Sequence, residues 1–326
     1  VKMGTRWFVG GILAAGLLSG CEPLDDDGGG GGTGGVLFRQ GFAFVREDDR
    51  NVFVVDNQGD PNSPQRLTSV GGAYWPSLSR DGRSVVFVQR GASGTSLLTV
   101  PSTGGTVATL FSANDPACPR GCSNFRTPAF SPDGRSVVFV YTAGNNSQTA
   151  LGRVNTDGSG FQELTPNNVI AYGAPSFMPN GTAVVAPAGT SAQQFNQVAF
   201  IPLTSGSIVY TSGLGEVSTV ANRIVVSPDG TQVVLDGRGS SGGVRTYVAP
   251  LANGRVGMVR RVTNYGGVSA QETWPMWTSA NQVGFLFVDA GGGDPGIYRA
   301  TVGVAPSNSV TLAVPSAAEP TYGPVQ

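Results

Sequence analysis

Four residues of this chain are placed to do chemistry: Cys118 and Cys122, spaced C-x3-C, and Glu272 and Glu319, each close ahead of a short strand that begins with Pro. In an exported chain a close cysteine pair reads as a disulfide clipping one loop. A redox-active pair uses C-x-x-C spacing at a helix N-terminus, and a zinc site needs two more ligands that this composition scarcely supplies. Glu272 and Glu319 precede neighbouring repeats at matching positions. Two such carboxylates could serve as the acid and base of a glycosidase or lyase, although repeat equivalence alone also explains the match. The missing residue types exclude more. The 326 residues contain no His, and Lys2 is the single lysine. That removes a Ser-His-Asp triad, an HExxH zinc site, Walker-type phosphate binding and Schiff-base chemistry. No cofactor or metal site is expected. A net charge of −1 offers no electrostatic footprint for nucleic acid.

The third cysteine has a different setting. Lys2 and Arg6 precede an apolar and glycine run from Trp7 to Leu18, which is too short to span a bilayer and suits the apolar region of a secretion signal. Leu18-Ser19-Gly20-Cys21 follows at once. This resembles the lipobox of bacterial lipoproteins, and the resemblance implies cleavage before Cys21 and lipidation of that residue. Glu22, rather than Asp, then favours the outer membrane. Asp25 to Asp27 and the glycine run after them read as a solvated tether. The expected organisation is a signal peptide over 1–20, a tether over 21–35 and one repeat domain over 36–326.

The elements that must position these groups come from an internal repeat. WPSLSRDGRSVVFV at 75–88, TPAFSPDGRSVVFV at 127–140, APSFMPNGTAVVA at 174–186 and IVVSPDGTQVVL at 224–235 are copies of one unit. A fifth, WPMWTSANQVGFLF at 274–287, lacks the turn glycine. Gly82, Gly134, Gly181 and Gly230 lie roughly fifty residues apart, the length of one four-stranded blade. Each unit predicts a short strand, a reversal with Gly at positive φ, and a strand apolar on both faces. A third strand follows, then a fourth ending in Leu-Thr or Val-Thr. One such sheet cannot bury both faces alone, whereas stacking blades around an axis does so.

The unit x-Pro-x-Trp/Phe-Ser-Pro-Asp-Gly with a later Leu-Thr resembles the WD40-like repeat of TolB-type β-propellers. The resemblance implies an all-β fold, a six-bladed propeller of four-stranded antiparallel blades. Blade one begins with Phe42 to Val45, already the second strand of the unit, and Glu319 to Gln326 looks like its missing first strand. Closure by the C-terminal segment is therefore expected. The two longer loop sets share one mouth. One set spans 70–74, 112–126, 166–173, 212–221, 264–273 and 315–319. The other spans 47–50, 90–95, 141–149, 187–196, 236–243 and 289–296.

Long loops on one face and tight Asp-Gly turns on the other point to the mouth as the working face. Its candidate contact residues are Arg90, Arg126, Tyr141, Tyr172, Gln193, Arg238, Glu272, Asp289 and Glu319, with Asn145, Asn146, Gln148, Gln194 and Asn196 as further amides and Asp49 as a further carboxylate. Trp75, Trp274 and Phe130 read as inter-blade packing. The expected role is a lipid-anchored, non-catalytic and monomeric scaffold in the bacterial envelope. It would present the mouth to an envelope protein or a peptidoglycan-associated partner. The alternative is a carbohydrate-active or sugar-binding propeller, with a Ca²⁺-dependent lectin-like binder as a third reading.

Overall fold

The β-branched run that ends each repeat sets the architecture, because its alternate side chains feed different neighbours. Val85 and Phe87 pack into one buried cluster with Val52 and Val54, whereas Val86 and Val88 join another with Phe125 and Phe139. Val138 and Val140 likewise face Val184 and Ala186 in the next cluster. Six such clusters fill the six spaces between adjacent sheets, and none lies inside a sheet of its own. Fully burying each of these side chains is worth roughly 1.5–3 kcal/mol, so stability is a property of stacked blades.

The computed structural model describes residues 38–113, 115–118, 121–144, 148–165, 169–239, 242–265, 270–289, 291, 295–303, 305–308 and 310–324. Cys21, the tether, Asn145 and Asn146 lie outside them. Among the described residues every regular element is a strand. Blade one holds β1 (Gly41–Val45), β2 (Val52–Asp56) and β3 (Gln65–Arg66). Blade two holds β4 (Ala73–Leu78), β5 (Ser84–Gly91), β6 (Gly94–Pro101) and β7 (Ala108–Ser112). Blade three holds β8 (Cys122–Phe130), β9 (Ser136–Ala143), β10 (Thr149–Asn155) and β11 (Gln162–Glu163).

In blade four the inner strand is split into β12 (Ala171–Tyr172) and β13 (Ser176–Phe177), both paired with β14 (Ala183–Gly189). Then come β15 (Gln197–Pro202) and β16 (Val209–Ser212). Blade five runs β17 (Val217–Val226), β18 (Gln232–Gly239) and β19 (Val244–Ala252), with β20 (Arg255–Val256) and β21 (Arg260–Arg261) both on β19. Blade six holds β22 (Gln271–Ser279), β23 (Gln282–Val288), β24 (Gly296–Thr301) and β25 (Thr311–Val314).

The last strand, β26 (Ala318–Gly323), pairs antiparallel with β1, so the sheet order of blade one is β26-β1-β2-β3. The chain's two ends thus share one blade, as the split first unit predicts. Phe42 packs edge-on to Tyr322 at 4.9 Å across this seam, and the Gln40 side-chain amide donates to the Pro324 carbonyl at 2.7 Å.

Two details recur from blade to blade. At the Asp-Gly turns the serine hydroxyl donates to the aspartate at 2.6 Å: Ser79 to Asp81, Ser131 to Asp133, Ser227 to Asp229. Each aspartate also accepts the backbone N–H two residues on, and Gly82, Gly134, Gly181 and Gly230 supply φ between 70° and 77°. At the other end of the repeat, the threonine of Leu-Thr is buried. Its hydroxyl accepts the N–H of Val52 (Thr68) or Leu151 (Thr165), tying the fourth strand's end to the third strand.

Candidate functional site

Antiparallel order brings the start of each inner strand to the same end of the disc as the hairpin joining strands two and three, and hydrogen bonds join them across blades. Ala73 N–H donates to the Arg50 carbonyl, Phe125 N–H to the Thr95 hydroxyl, Tyr172 N–H to the Thr149 hydroxyl, and Val220 N–H to the Phe195 carbonyl. These ties make the mouth one continuous surface. Cys118 and Cys122 form a disulfide inside the 112–126 segment and are themselves buried.

The inner strands bulge where x-Pro stands in the repeat. Register shifts fall between Tyr74 and Ser77, Arg126 and Ala129, and Thr273 and Met276. Trp75, Thr127, Trp274 and Glu319 hold φ between 45° and 53° there, a backbone conformation costly for side chains of this size. Such bulges re-aim side chains. Trp75, Thr127, Ala174, Arg223, Trp274 and Glu319, one from each blade, line the central channel, whose cavity measures about 240 Å³. Arg80 donates to the Pro179 carbonyl at 3.2 Å, reaching from blade two to blade four at the turn end of that channel.

The carboxylates near the axis are committed to the fold. Asp236 is fully buried and accepts from the Asn222 N–H and side-chain amide, the Arg223 N–H and the Trp274 N–H at 2.6–3.0 Å. Burial raises its pKa, with the Asn222 amide opposing. Arg223 donates to the carbonyls of Pro275 and Trp274, and burial brings its guanidinium down to about 10. Glu319 accepts Arg50 Nη1 at 3.1 Å and Trp75 N–H at 2.8 Å, and burial again raises its pKa.

Several expected contact residues sit elsewhere. Glu272 is fully buried, accepts from Thr246 N–H and the Thr263 hydroxyl, and has its pKa raised by burial. It is not the counterpart of Glu319: in the repeat Glu319 aligns with Trp274, immediately before Pro, and Glu272 stands two residues earlier. The expected carboxylate pair therefore does not form from equivalent positions. Tyr141 and Tyr172 are buried too. Tyr141 packs among Phe139 and Phe161, and Tyr172 shares a 2.7 Å hydrogen bond with Tyr210, since phenol rings are large enough to fill the blade interfaces. Trp75 and Phe130 pack against the buried cluster between blades two and three, as expected, and also line the channel; Trp274 lines the channel, while Trp277 is the fully packed indole, donating to the Val225 carbonyl. Asp49, a further expected carboxylate, pairs with Arg66 at 3.5 Å.

Arg90, Arg126, Gln193, Arg238 and Asp289 are exposed. Arg238 donates to the Gly242 carbonyl. Arg90 lies over Tyr74 at 4.1 Å and Trp75 at 4.9 Å, and Arg50 also lies over Tyr74, at 4.6 Å. Sequence reasoning missed Arg50, Tyr74, Arg223 and Asp236. A lone aspartate in the apolar run VVLDG was the signal for the last; Arg50 and Arg223 meet their rings, Tyr74 and Trp274, across blade boundaries and leave no local pattern.

No protein-family model and no curated protein matches the chain. Solved structures do. TolB from Acinetobacter baumannii superposes with a TM-score of 0.64 at 16% identity, covering 87% of this chain and 66% of that one. A TolB-type protein from Agrobacterium tumefaciens gives 0.57 at 17% identity, covering 85% and 89%. An oligogalacturonate lyase in complex with manganese gives 0.50 at 16%, covering 80% and 76%. At these identities the shared property is the propeller fold. This chain spans about two thirds of the length of the Acinetobacter protein.

Proposed function

We propose that this chain is a non-catalytic binding scaffold of the bacterial envelope, anchored through lipid on Cys21 and presenting its mouth to a protein or a peptidoglycan-associated partner. One observation carries the reading. The carboxylates that acid–base chemistry would need, Glu272, Asp236 and Glu319, are each engaged in hydrogen bonds that hold blades together. The exposed arginines Arg90 and Arg126 make no ion pair with the described residues. Catalytic groups must be free to exchange protons with a substrate, whereas binding groups need only be exposed and fixed. The likeness to TolB propellers supports the same reading at the level of fold.

Two measurements test it. Affinity capture from envelope extract should recover a partner with the wild-type chain and not with Arg90→Gln/Arg126→Gln. Incubation with oligogalacturonate and other polysaccharides should release no cleaved product; cleavage abolished by Glu272→Gln would install the carbohydrate-active alternative instead. For the anchor, Cys21→Ser should abolish incorporation of labelled fatty acid and move the protein to the soluble fraction.

A further inference from the structure

We infer that Arg90 and Arg126 form a carboxylate-recognition site for an acidic peptide segment at the mouth edge between blades two and three. The inference rests on the mouth being the binding face and adds the chemistry of what binds there. Both side chains are exposed and line one cavity of about 330 Å³, together with Gly91, Gly94, Thr95 and Asn124. The Arg90 guanidinium is held against Tyr74 and Trp75, and it makes no hydrogen bond to the described residues. Stacking fixes the plane of a guanidinium while leaving its edge donors directed outward, the arrangement that takes a carboxylate with two parallel bonds.

Neighbouring carboxylates do not fill this role. Glu319 accepts from Arg50 and from Trp75 N–H; it feels the Arg90 charge as well, but the two make no ion pair. Asp115 accepts the Ala117 N–H within its own turn. The remaining rim acids lie on other blades, with Glu216 exposed in the 212–221 segment. Glu47 and Asp48 line a separate cavity with Pro295 and Ser316, and Asp289 is exposed on blade six. Within the shared cavity Arg90 and Arg126 are the charged lining groups, which attracts an acidic segment. A peptide is favoured over a sugar because pyranose recognition uses open aromatic faces, and the rings at this edge already carry guanidinium groups at 4.1–4.9 Å.

The test is selection of a random dodecapeptide display library on the immobilised full chain, with oligogalacturonate as a competitor. Clones enriched on wild type should be rich in Asp and Glu relative to the input. That bias should vanish on Arg90→Gln/Arg126→Gln and persist on Arg83→Gln, beside the turns of the opposite face. A selected peptide should bind about tenfold more weakly to each single variant, a loss of about 1.4 kcal/mol. Arg90→Lys keeps the charge but not the planar stack, and should weaken binding several-fold. Enrichment without acidic bias would overturn this inference and leave the mouth reading standing. Failure of any clone to enrich would overturn both. Oligogalacturonate that binds in an Arg90-dependent way and displaces the selected peptide would replace the peptide with an acidic sugar.

Discussion

Single carboxylates divide into two groups with opposite pH behaviour. Asp133 sits at a turn where the Ser131 hydroxyl and Arg135 N–H hold its pKa below the usual value. Its contribution is present above about pH 4 and is lost as pH falls through the lowered pKa. Asp133→Ala should cost about 1 kcal/mol in urea unfolding at neutral pH, and the difference from wild type should shrink in acid. Glu272 behaves the other way. Burial raises its pKa, so its contribution is full below about pH 4.5 and declines as pH rises through the raised value. Glu272→Gln retains an oxygen for Thr246 N–H and an amide for the Thr263 hydroxyl. Unfolding curves across pH 4–8 should show wild type losing ground to this variant as pH rises. A constant difference across the range would contradict the assignment.

At the scale of the strand, the seam between β26 and β1 carries the closure. Gly41 pairs there with Gly323 on one side and Asp56 on the other, and a Cβ on it would fall 2.0 Å from the Val55 carbonyl oxygen. Gly41→Ala should therefore destabilise by on the order of 3 kcal/mol, read as a lowered urea midpoint; a midpoint equal to wild type would mean the β1–β2 pairing beside the seam is looser than described. The strands themselves were legible from residues alone. The VVFV runs, the Asp-Gly reversals and the Glu319 segment are local signals, repeated often enough to count. The bulges were not legible. Nothing in WPSL or TPAF says that the residue before Pro will adopt positive φ and turn into the channel, so Trp274 read as packing and the channel face of Trp75 went unseen. Glu272 misled for a related reason, because its partners, Thr246 and Thr263, come from the neighbouring blade.

Over the whole molecule, the two faces differ in what they leave free. The turn face is made of short Ser-Asp-Gly reversals whose polar groups bond to one another. The mouth combines loops tied across blades with exposed arginines and exposed acids. Working residues therefore come from several blades, and sequence reasoning reached the face but only part of its cast. Gln193, Arg126 and Arg90 belong to that surface by both routes; Arg50 and Tyr74 needed the fold. Photo-crosslinking in intact cells decides the matter most directly, with a reactive residue placed at Arg126 or Gln193 on the mouth, or at Arg83 or Arg135 beside the turns. A discrete partner adduct from the mouth positions and none from the turn positions is the expected result. Adducts from the turn positions, with the mouth positions silent, would contradict the account.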